Sequence, residues 1–146
     1  GENALDGALI VMSYHDLYHA DPDSGWQAID AGQFIEQIVT ALKPGGRQAL
    51  SAFNAYFAVK YFAVEGGSQF DAGSGVNHEI TEVRNEAGEP QQVDLWTGCY
   101  TPRELRVLLR LAGLTVDSIN SVEPGDYGSV TPSTETAEFL VIAHRN

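Results

Sequence analysis

A chain of 146 residues can build one packed domain and is too short for two comfortable ones. Its 20 Asp and Glu against 8 Lys and Arg give a formal charge of -12, a surface that repels a phosphate backbone, so nucleic-acid binding is not expected. One cysteine, Cys99, cannot close an internal disulfide, and neither a leader nor an apolar run long enough to span a membrane is visible, which together suit the cytoplasm.

The first predicted element is "ALIVM", residues 8 to 12, an unbroken apolar run of the kind found in parallel strands covered on both faces. Two-sided burial would call for helices on either side. "IDAGQFIEQIVTALKPGG" follows, with Asp30 placed to cap a helix, Gln33 to reach back, and Ile29 to staple onto Phe34. Phe34, Ile35, Ile38, Val39 and Leu42 recur at helical spacing, Lys43 suits the negative end, and the Pro-Gly-Gly run is expected to stop the helix.

"QALSAFN", residues 48 to 54, reads as a second strand, so strand, helix and strand make a parallel crossover. "AYFAVKYFAV" is expected to form a short helix and then loop. "HEITEVRN" and "QQVDLWTGCY", joined through "EAGEP", read as an exposed, partly polar β-hairpin. "YTPRELRVLLRLAGL" is the clearest helix: Thr101 caps it, Pro102 takes its first position, Glu104 completes a capping box, and Tyr100 can staple to Leu105. Its buried face should be Leu105, Leu108, Leu109 and Ala112, and Gly113 should end it; Arg103, Arg106 and Arg110 then make a solvated face. "LTVDSINSV" is a strand by its β-branched content, "EPGDYGSVTPSTET" a loop, and "AEFLVIAH" a last buried strand.

Taken in order, "LKPGG" after an amphipathic helix, then "YTPREL…LLRLAGL", then a strand, a loop and "FLVIAHR" resemble the C-terminal half of a class I S-adenosylmethionine-dependent methyltransferase of the small-molecule type. The likeness covers nearly the whole chain. It implies an α/β, Rossmann-like methyltransferase sheet with an inserted β-hairpin and an antiparallel final strand, residues 1 to 146 forming one domain that lacks the family's first strands. It also implies S-adenosylmethionine as cofactor and a small molecule as methyl acceptor. The family's glycine-rich turn is not seen before residue 8, and "FDAGSGVN", residues 70 to 77, offers its D-x-G-x-G spacing in the wrong order and without a preceding apolar strand, so it reads as a loop.

Ligands of open α/β sheets lie beyond the carboxyl ends of the strands. By that rule Ser13, Tyr14, His15 and Asp16 are expected to meet the cofactor, with His15 a general base for an acceptor O–H or N–H, because imidazole titrates near neutrality. Phe53, Asn54, Tyr56, Tyr61 and Trp96 are the expected acceptor contacts. A metal is not expected: His15 and His19 would share a face only on a helix, Pro22 between Asp21 and Asp23 favours a turn, and a catalytic zinc needs a third strong ligand. The opposing reading is a non-catalytic α/β half-domain that binds a partner chain or pairs with itself, as a homodimer through an exposed sheet edge.

Overall fold

The computed structural model describes residues 1–10, 30–62, 68–85 and 87–146. Strand β1 (Leu5–Ile10) is followed by helix α1 (Ala31–Ala41) and the long strand β2 (Leu42–Asn54). One α-turn (Ala55–Phe57) runs straight into a π-helical segment (Ala58–Phe62), and the two together are α2. The antiparallel strands β3 (Ser68–Asp71), β4 (Val76–Arg84) and β5 (Pro90–Tyr100) come next, then helix α3 (Pro102–Leu111), β6 (Leu114–Ser121) and β7 (Glu138–Arg145).

The seven strands form one mixed sheet, in the order β3-β4-β5-β2-β7-β6, with β1 also on β2. β1 runs parallel to β2, as a strand-helix-strand crossover requires, and β7 runs antiparallel to both β2 and β6. An α/β, Rossmann-like sheet with an inserted hairpin and an antiparallel last strand is therefore present.

Both long helices begin where their caps dictate. The Asp30 carboxylate accepts from Gln33 N–H at 2.8 Å. Thr101 and Glu104 make the full reciprocal box, Thr101 N–H donating to Glu104 Oε2 at 2.7 Å and Glu104 N–H to Thr101 Oγ1 at 3.2 Å. The core lies on one face of the sheet: Leu42, Ala52, Phe139, Val141, Ala143, Leu114 and Ile119 pack with Leu105 and Leu109 of α3, and Val39 of α1 joins them.

Five expectations need correction. The strand near the start is Leu5–Ile10 and is not covered on both faces, for Leu9 is 70% exposed; α1 and α3 both feed the same core, and among the described residues nothing covers the side that carries Leu9 and Ala49. Val11 and Met12 lie outside the described residues, as does the Ile29 staple. Pro44, Gly45 and Gly46 do not form the helix stop, because α1 ends at Ala41 and those residues open β2. There they absorb the register shift between the pairs Leu5–Leu42 and Gly7–Arg47. Gly45 has φ +75°, and a Cβ on Gly46 would stand 2.8 Å from the Lys43 carbonyl oxygen, so the bulge needs glycine.

The stretch "FDAGSGVN" is not loop throughout: Phe70 and Asp71 end β3, Val76 and Asn77 begin β4, and only the four residues between them turn. Leu108 faces out at 49% exposure, since the buried stripe of α3 is narrowed to Leu105 and Leu109. The last strand is buried on one side, at Phe139, Val141 and Ala143, and only half-buried on the other.

Candidate functional site

The position of the site follows from how β2 shares one edge. β7 takes one side of β2 from Arg47 to Phe53. On the other side β1 pairs up to Ile10 opposite Leu50, and β5 takes over at Phe53 opposite Cys99 and Asn54 opposite Tyr100. β1, β2 and β5 run parallel, so their carboxyl ends open in the same direction, and the hand-over leaves a fork just beyond the end of β1. Ser13, Tyr14, His15 and Asp16 follow that end in sequence and lie outside the described residues, as do His19, Asp21 and Asp23.

Asn54 closes the fork from below. It is 1% exposed, and its amide nitrogen donates to the Ser133 carbonyl at 2.7 Å and the Thr136 carbonyl at 2.8 Å, while its Oδ1 accepts from Tyr56 N–H at 3.0 Å. The end of β2, the start of α2 and the β6–β7 loop are thus held by one side chain. Ser121 extends the network, accepting from Ser133 N–H and from the Thr136 hydroxyl. Asn54 is therefore spent on positioning. Phe53, half-buried, sits at the hand-over itself.

The two parts of α2 carry the aromatic residues, Tyr56 and Phe57 in the α-turn and Tyr61 and Phe62 in the π-helical segment. Phe57 packs on Tyr61 at 4.5 Å between ring centroids and edge-on to Phe62 at 5.7 Å, and Tyr56 and Tyr61 are partly open to solvent. Lys60 and Tyr61 both reach Glu135 of the β6–β7 loop, at 2.5 Å and 2.6 Å. The Lys60 ammonium, with the hydroxyls of Tyr61 and Thr134, pulls the Glu135 carboxyl down to about 2, and Glu135 in turn raises Lys60. Neither partner was expected from sequence, since 75 positions separate them.

Trp96 stands on β5 opposite His78 of β4. The rings stack, 4.5 Å apart and 12° from parallel, and His78 Nε2 lies 2.7 Å from Asp94 Oδ1. Sequence reasoning passed over His78 for want of a spacing argument; the observed register, with Arg84 opposite Pro90, brings residue 78 opposite 96 and diagonal to 94.

Two other residues are less reactive than their types suggest. Burial pushes the Cys99 thiol up to about 11, away from the thiolate that a nucleophile needs. Asp71 is held below its ordinary value by the Ser74 hydroxyl and the N–H groups of Gly73 and Ser74. Asp126 makes the same turn with Gly128 and Ser129, so "DAGS" and "DYGS" are two copies of one closed turn.

No protein-family model matches the sequence, and no curated protein matches it. Solved structures do. The whole chain superposes on the CcbJ methyltransferase of Streptomyces caelestis with a TM-score of 0.68 at 13% identity, covering 63% of that chain. It superposes on an S-adenosylmethionine-dependent methyltransferase of Clostridium acetobutylicum with a TM-score of 0.65 at 13% identity, covering 61%. A third match is the 1,6-didemethyltoxoflavin-N1-methyltransferase of Burkholderia thailandensis, solved with 1,6-didemethyltoxoflavin and S-adenosylhomocysteine, at 22% identity and a TM-score of 0.51 over 46% of its length. The chain thus spans about three fifths of the first two structures, and its fold is that of the class I S-adenosylmethionine-dependent methyltransferases.

Proposed function

We propose that this chain serves methyl transfer from S-adenosylmethionine to a small-molecule acceptor, and that its described residues supply the acceptor side. The observation that carries the reading is the fork at the carboxyl ends of β1 and β2, with the hairpin joining at the level of Phe53 and Asn54. Phe53 lies at the mouth, Tyr56 and Tyr61 rise from α2, and Trp96 stands on the hairpin; Asn54 holds their supports in place. A small-molecule acceptor is supported by the toxoflavin-type neighbour, and a single buried cysteine suits a reducing cytoplasm. No described helix is long and apolar enough to cross a membrane.

The D-x-G-x-G turn of residues 71–75 offers no open cradle for the cofactor's nucleoside, since the Asp71 carboxylate is used by Gly73 and Ser74 and the Gly75 N–H donates to the Asp71 carbonyl. Cofactor contact is therefore assigned to Ser13, Tyr14, His15 and Asp16, with His15 receiving the acceptor's proton. Calorimetric titration with S-adenosylmethionine into the millimolar range is expected to give heat and a thermal shift, both weakened by Asp16→Ala. Absence of both in the unaltered chain would sink the reading.

A specific observation favours a second reading, in which the chain pairs with itself. β1 uses one edge on β2 and has no other strand partner among the described residues, and its Leu9 is 70% exposed. Light scattering of the eluted protein would then give twice the 15.8 kDa of one chain; a clean monomer at all concentrations counts against it.

A further inference from the structure

The three-stranded hairpin sheet carries a groove that no local pattern of residues announces. Gln69, His78 and Trp96 lie directly opposite one another on β3, β4 and β5 and form one rung. The next rung is Asp71, Val76 and Gly98, where Asp71 is turned into its own loop and Gly98 has no side chain. A low floor beside a tall wall results, and the space above it is an open groove of about 570 Å³ lined by Gln69, Asp71, Val76, His78 and Trp96, among others.

The wall has a defined chemistry. His78 Nε2 faces Asp94 Oδ1, and in the neutral imidazole that nitrogen carries the N–H and donates it, which leaves the lone pair on Nδ1. Nδ1 has no hydrogen-bond partner among the described residues. Stacking on Trp96 fixes the ring plane, so the lone pair points in one direction. Trp96 is 57% exposed, an indole face available to a second ring. Asp71 and Asp94 at the borders, on a chain of charge -12, disfavour an anion.

We propose that this groove binds a flat, uncharged heterocycle bearing a ring N–H, which lies beside His78 in the plane of its imidazole, donates its N–H to Nδ1, and overlaps the part of the Trp96 indole that His78 leaves open. As an account of binding it needs no cofactor; that the bound ring is the methyl acceptor rests on the proposed function above.

The test uses the full chain labelled with ¹⁵N and two probes, lumazine, a bicyclic ring with free N–H groups, and 1,3-dimethyllumazine, which keeps the flat surface and lacks them. Lumazine is expected to move the Trp96 indole N–H signal and to bind roughly tenfold more tightly than its dimethyl analogue. His78→Phe, which keeps a flat ring and has no acceptor, should abolish the difference between the probes, and Trp96→Ala should weaken both. Equal binding of the two probes to the unaltered chain, or signals that move elsewhere while Trp96 stays still, would overturn the proposal without any variant. Lumazine binding in a protein that shows no response to S-adenosylmethionine would overturn only the methyl-transfer reading.

Discussion

Two residues show what individual side chains cost and contribute. Gln48 is 1% exposed, on the core side of β2 opposite Ala143, and among the described residues neither end of its amide has a partner. A buried, unpaired amide costs more than it returns, so Gln48→Met, of similar length and apolar, should raise the unfolding free energy by about 1–3 kcal/mol in urea titration. Glu135 works the other way. Its ordinary value is 4.5 and the fold lowers it to about 2, so its bonds to Lys60 and Tyr61 stabilise the fold above the ordinary value and are lost as pH falls between the two. A carboxyl ¹³C titration should place its midpoint near 2, and Lys60→Met should move that midpoint upward. The caps at Asp30 and Thr101 were legible because each is satisfied within three residues. The Lys60–Glu135 clamp was not, because only the tertiary fold brings α2 to the β6–β7 loop.

At the scale of elements, local periodicity identified α1, α3 and the β4–β5 hairpin, and it failed where packing overrode it. Leu108 fits the helical stripe, yet α3 meets the core through a face too narrow to include it. β3 is four residues long and exists only through pairing with β4, a partner no local pattern announces. The hairpin joins β2 at two pairs, whereas β7 joins it at seven. Attachment that slight predicts separate opening: in hydrogen–deuterium exchange the β4 amides from Ile80 to Arg84 should exchange well before those of β2 and β7. Simultaneous exchange of hairpin and core would show that the two open as one unit.

At the scale of the whole molecule, the order of strands and helices was enough to place a methyltransferase-like sheet, and the solved structures bear this out. What the order could not reveal was that β1 and β5 share one edge of β2, since a thirteen-residue strand with two successive partners looks the same in sequence as one with a single partner. Charge bears on the exposed β1 edge as well. Copies carrying -12 each repel, and salt screens that repulsion, so any pairing through β1 should grow between low and about 0.5 M salt in light scattering. Mass that falls with salt would point to ion pairs instead. Asn54 sets a limit on chemical variation in this fold. Aspartate has the same size and shape, but it would aim an oxygen at the carbonyl oxygens of Ser133 and Thr136 where nitrogen now stands. Asn54→Asp would thus set loop and strand end against each other, so the mouth of the sheet depends on a single nitrogen.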